Sequence, residues 1–156
     1  MNNVLAIALL LLASTAPVYA AQEPNTAETC RSSWQDASRD SWRAKDYERA
    51  VEFFKRLQVS VARNERPAVA GMIAYPLRVS GEYRVHNRTA FLRNYSRIFD
   101  ESVRHAVQKQ VPECLFGNYQ GFMAGNGAVW FEYSMDHPAF KVIAVNNESW
   151  PKPNEG

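Results

Sequence analysis

Tyr47, Ala50, Val51, Phe54, Leu57 and Val61 recur every three to four residues, the spacing that gathers apolar side chains on one face of an amphipathic helix. Asp46, just ahead of this stripe, reads as its N-cap. Upstream, Cys30, Trp34, Ala37, Ser38, Ser41 and Trp42 keep the same period and predict a helix over residues 30–45, with two tryptophans on one side. Arg66-Pro67 breaks the pattern, and Pro67 is placed to open a short helix ending near Ile73. Residues 75–79 (YPLRV) then alternate with the period of a strand. Ser80-Gly81 supplies a turn, and residues 83–86 return as the second arm of a hairpin. Asn87 is a natural N-cap for the longest helix, residues 88–109, whose core face is Phe91, Leu92, Tyr95, Ile98, Phe99, Val103, Ala106 and Val107; Pro112 stops it. In the last third, residues 115–124 and 128–134 flank Gly125-Asn126-Gly127, whose Asn-Gly pair signals a hairpin. Residues 134–139 read as a loop containing Pro138, and 140–145 as the final strand. Helices segregated against an antiparallel meander make an α+β domain.

One apolar run does not belong to that domain. Val4 to Ala13 is unbroken and ends at Ser14, Thr15 and Pro17, ahead of Val18-Tyr19-Ala20. A membrane-spanning helix needs about 20 apolar residues. This run has instead the length of a signal-peptide core, with Ala20 at the cleavage position and Ala21 as the first mature residue. Asn2 and Asn3 add no charge, so the terminal amine is the only positive group before the core. An uncleaved anchor is the alternative. The chain therefore divides into a signal peptide (1–20), a leader with a candidate helix (21–45), a single α+β domain (46–148) and an extended tail (149–156). No second stretch approaches membrane length, so the expected product is soluble, with no stable membrane insertion after processing.

Composition adds to this in three ways. Hydrophobic residues make up 46% of the chain, enough for a real core and against a disordered one. The formal net charge of +2 is too small to imply nucleic acid or an anionic membrane as partner. All Lys and Arg except Lys141 and Lys152 fall between Arg31 and Lys109, a polarity that suits either a partner or a solvated face. Two cysteines, Cys30 and Cys114, read as one disulfide in an oxidising compartment, against two buried free thiols. Three Asn-x-Ser/Thr sequons begin at Asn87, Asn94 and Asn147. Asn94 lies inside a helical pattern, a poor place for a glycan, so they read as chance matches. The expected address is then the bacterial periplasm or the exterior.

The stretches YPLRV (75–79), FLRNYSRIF (91–99) and NYQGFMAGNGAVWF (118–131), with Ala144-Val145-Asn146 at the end, resemble a group of small secreted bacterial proteins of the nuclear transport factor 2-like, or SnoaL-like, superfamily. The resemblance covers about residues 47–147. It implies a cone-like fold, with N-terminal helices and one long helix packed on a curved antiparallel sheet. It carries over no catalytic residue.

Candidate chemistry is correspondingly sparse. Strand alternation puts Val129, Phe131 and Tyr133 on one face and Trp130, Glu132 and Ser134 on the other, with Arg78 facing away from Leu77 and Val79. Arg78, Glu132, Asn146 and His86 are the candidate ligand-binding set, Glu132 as a base and Arg78 holding an anion; a cross-strand ion pair or solvated charges is the other reading. Trp42 and the loop pair Asp136-His137 are candidate partner-binding residues. His86, His105 and His137 are too scattered for a metal site, no cofactor is implied, and the glycines form no phosphate loop. These observations favour an exported binding or inhibitor protein, for instance an immunity-type protein neutralising an envelope-acting toxin or hydrolase. A ligand-binding or enzymatic cone and a homodimeric envelope subunit are the alternatives.

Overall fold

The computed structural model describes residues 26–37, 44–136 and 138–147. The apolar run at the N-terminus, Trp42, His137 and residues 148–156 lie outside them. Helix α1 (Ala27–Ala37) starts three residues earlier than its apolar spacing suggests, because Thr26 caps it. The Thr26 Oγ1 accepts from the Thr29 amide at 3.2 Å, and the Thr26 carbonyl from the Cys30 amide at 3.0 Å. Helix α2 (Ala44–Ala62) buries the whole expected stripe, together with Phe53. It begins two residues before Asp46, which therefore sits in the first turn instead of capping it and accepts from Arg49 Nη1 at 3.2 Å. Helix α3 (Arg66–Gly71) has Pro67 in its first turn and ends before Ile73, which opens the first strand.

Six strands form one curved, unclosed sheet: β1 (Ile73–Val79), β2 (Tyr83–Val85), β3 (Phe116–Asn118), β4 (Gly121–Ala124), β5 (Val129–Ser134) and β6 (Ala139–Val145), in the order β2-β1-β6-β5-β4-β3. The α+β class is as expected, with one difference. The β1–β6 pair is parallel, so the sheet is mixed. Alternation within a strand says which face each residue takes but nothing about which strand lies beside it. The β1–β6 register shifts between Ile73 and Arg78, across Pro76, which has no N–H to donate to the ladder.

Two expected elements are broken. The long helix is two, α4 (Arg88–Ile98) and α5 (Glu101–Lys109). Asp100 caps the second, its carboxylate accepting from the Val103 amide at 3.0 Å and the Ser102 hydroxyl at 2.7 Å. The end of the first is satisfied from outside: Asn147 Nδ2 donates to the carbonyls of Arg97 at 2.6 Å and Ile98 at 2.9 Å. Asn87 caps α4 as expected, accepting from Ala90 N at 2.9 Å. The strand expected over 115–124 is a hairpin, β3 and β4. Asn118 Oδ1 accepts from the Gln120 amide at 2.8 Å, and Gly121 follows at φ +130°. A side chain there would drive its Cβ to 2.5 Å from the Phe131 carbonyl oxygen.

The helices cover one face of the sheet, with α2 against α5 and β6, and α3 against α4. Phe53, Phe54, Phe122, Phe131 and Phe140 fill the space between α2 and the sheet, and Phe91, Tyr95 and Phe99 the space beneath α4. No helix among the described residues is long and apolar enough to cross a membrane.

Candidate functional site

Strand register builds a row across the face of the sheet that none of the described helices covers, called the uncovered face below. Arg84 pairs with Arg78, Arg78 with Ala144, Ala144 with Trp130, Trp130 with Met123, and Met123 with Phe116. Directly paired residues point the same way, and their strand neighbours Leu77, Val79, Val129 and Phe131 are buried under the helices. The row therefore faces outward. Its apolar half is wet: Phe116 is 51% exposed, and Trp130 and Met123 are half-buried. Its cationic half differs between the two arginines. Arg84 is tied into its own turn, with Nη1 donating to the carbonyls of Gly81, Glu82 and Tyr83 at 3.1 to 3.3 Å. Arg78 is exposed and takes part in none of the ion pairs among the described residues.

Between Arg78 and Trp130 the small side chain of Ala144 leaves a recess of about 160 Å³, completed by Gly81, Gln120 and Asn146. Two of the expected ligand-binding residues, Arg78 and Asn146, thus meet here. The other two do not join them. Glu132 lines a separate recess of about 110 Å³ with Asp46, Tyr119 and Tyr133. It stands opposite Lys141 in the ladder, yet Lys141 Nζ donates to the Gly71 carbonyl at 2.6 Å. His86 is exposed one residue past β2 and lines none of these recesses. Asp136 is exposed in the β5–β6 turn beside Met135, itself 83% exposed. Trp42 and His137 lie outside the described residues.

A larger recess of about 480 Å³ lies between α5, the β4–β5 turn and the end of β6. Three of its polar side chains are already engaged within the fold. Ser80 Oγ donates to the Asn147 carbonyl at 2.7 Å, Asn146 Nδ2 to the Gly127 carbonyl at 2.8 Å, and Asn147 to the end of α4. This is a structural junction. Among the described residues no group of three or more His, Cys, Asp or Glu could hold a metal ion. Cys30 and Cys114 are joined as expected, tying α1 to the 3-10 turn Pro112–Cys114, so neither thiol is available as a nucleophile.

Beside that disulfide lies a charge cluster the sequence did not reveal. Glu113 is buried, with Lys55 Nζ at 2.7 Å and Arg31 Nη2 at 3.6 Å. The Lys55 hydrogen bond is the main reason its carboxyl is held below the usual carboxylate range. Tyr47 donates its hydroxyl to the Glu113 carbonyl at 2.5 Å, and burial pushes the phenol up to about 12. Trp130, Phe116 and Gln120 were likewise not singled out. Alternation already put Trp130 on the Glu132 face, but only the register shows that an arginine stands two strands away. Comparison with protein-family models, curated proteins and solved structures finds no match.

Proposed function

We propose that the protein is an exported binding protein, an inhibitor of immunity type, that docks on a protein partner in the cell envelope through the uncovered face of its sheet. The observation that carries this reading is the outward row from Arg78 through Trp130 to Phe116. Trp and Arg are among the side chains that dominate binding energy at protein interfaces, and here Trp130 and Arg78 stand two strands apart on a rigid sheet instead of being dispersed on loops. The Cys30–Cys114 disulfide suits an oxidising compartment, in keeping with the apolar run at the N-terminus. The likeness to small secreted cone-fold proteins is consistent with the helix-on-sheet arrangement.

A catalytic cone would need its polar residues converging inside the fold. The interior is instead filled by aromatic side chains, and of the four candidates only Arg78 and Asn146 meet, on the surface, with Glu132 and His86 elsewhere. Affinity capture from producing cells with the oxidised protein tests the reading. The wild type should retain one envelope protein that a Trp130→Ala, Phe116→Ala double variant of unchanged Tm releases, while Glu132→Gln retains it. Equal capture by the double variant, or loss of the biological effect in Glu132→Gln with capture intact, would overturn it.

A further inference from the structure

The recess beside Arg78 has a chemistry of its own. Its floor is Ala144, and its walls stand on strands two places apart, about 10 Å from backbone to backbone: a guanidinium on one side, an indole on the other. At about 160 Å³ it takes a side chain and not a whole small molecule of cofactor size. Arg78 presents a planar fork of donors with no carboxylate partner among the described residues, although Arg84, its neighbour in the row, is held by three carbonyls. Asn146 spends its amide N–H on the Gly127 carbonyl, which leaves its Oδ1 as an acceptor at the rim. A cation matched to a carboxylate and an acceptor matched to an amide N–H, with an apolar strip from Trp130 to Phe116 beyond them, is the complement of an acidic residue within an extended peptide that also carries apolar side chains.

Resting on the docking reading above, we infer that the Arg78 recess is an anchor site for an Asp or Glu side chain on an extended, acidic-apolar segment of the partner protein. The carboxylate pairs with Arg78, the segment's backbone N–H donates to Asn146 Oδ1, and its apolar residues lie along Trp130, Met123 and Phe116. A second copy of this chain is a poorer occupant of the recess, because the row itself contains two arginines and no carboxylate.

The probe is a synthetic twelve-residue peptide alternating Asp and Leu, with an Asn-Leu peptide as its control, titrated into the isotopically labelled oxidised protein and followed by NMR. The Asp peptide should shift the amides of Ala144 and Asn146 and the indole N–H of Trp130. It should bind at least tenfold more tightly than the Asn peptide, and lose that advantage in Arg78→Gln and in high salt. Equal binding of the two peptides, shifts confined to another face, or an Arg78→Gln variant that keeps the preference would overturn the inference. So would Trp130 and Ala144 shifts that depend on protein concentration alone, which would place a second copy on this face. Failure here is distinguishable from failure of the docking reading. If the captured partner survives Arg78→Gln but not the Trp130→Ala, Phe116→Ala double variant, the face binds without the anchor; if it survives both, the face does not bind it.

Discussion

Tyr95 places its hydroxyl in the aromatic core, 1% exposed, where it has no hydrogen-bond partner among the described residues. Phe91 meets its ring edge-on, Phe99 stacks on it, and the Arg66 guanidinium lies 5.3 Å from the ring centre. A buried hydroxyl without a partner gives up its hydration for nothing, so Tyr95→Phe should leave Tm unchanged or raise stability by up to about 1 kcal/mol. A fall of several degrees would mean that the hydroxyl is satisfied. Glu113 behaves oppositely. Its carboxyl is held below its usual range by Lys55, so the ionised form is the one the fold stabilises. That contribution is present at neutral pH and disappears as acid titrates first the unfolded and then the folded carboxyl, from about pH 5 downward. Glu113→Gln should lose about 2 kcal/mol at pH 7 and show a smaller further loss than the wild type between pH 5 and pH 3, read as Tm against pH. Parallel Tm curves would contradict the assignment. Neither residue could be picked out beforehand. Tyr95 read correctly as a core position, but whether its hydroxyl finds a partner depends on what packs over it, and Glu113 is enclosed by Tyr47 and Lys55 of α2 and Arg31 of α1, which lie 58 or more residues away in sequence.

Elements were legible where a local signal coincided with the end of a periodic run. Asn87 precedes its helix with nothing helical before it, and the Asn-Gly pair of the β4–β5 turn sits between two alternating segments. Asp100 failed that test. Apolar residues continue at near-helical spacing on both sides of it, so the cap was hidden inside one apparent helix, and the group that ends α4, Asn147, comes from 49 residues beyond Ile98. The turn inside residues 115–124 was marked only by Asn118 and Gly121, which are not adjacent and so lack the Asn-Gly signature of the β4–β5 turn. Asp100→Ala should cost about 1 kcal/mol and speed amide exchange in the first turn of α5, leaving α4 protected; unchanged exchange at Val103 would mean the cap contributes nothing. At the β4–β5 turn, Gly125 has φ +61° and its absent Cβ would lie 2.7 Å from the Ala106 Cβ. Gly125→Ala should therefore destabilise by more than 1 kcal/mol in chemical denaturation, by strain and by pushing the turn off α5. A neutral result would show that α5 can give way.

For the molecule as a whole, the α+β class and the facing of β1 and β5 came from patterning, while strand order did not, because register is decided between segments. That is why Arg78 and Asn146 could be named separately but not seen as neighbours, and why the row to Phe116 was invisible. The disulfide closes a separation of 84 residues, worth about 4 to 5 kcal/mol in the chain-entropy model. Since α1 rests mainly on the 3-10 turn and the start of α2, reduction should lower Tm while the sheet amides stay protected and those of α1 do not. The central claim is that the uncovered sheet face, and not the helical side, is the binding surface. The direct measurement is the Kd of the captured partner for Trp130→Ala and for a helix-side control, Arg93→Ala with Arg97→Ala, all at unchanged Tm. The account predicts at least a tenfold loss for Trp130→Ala and little change for the control; a loss confined to the control, or none in Trp130→Ala, would contradict it.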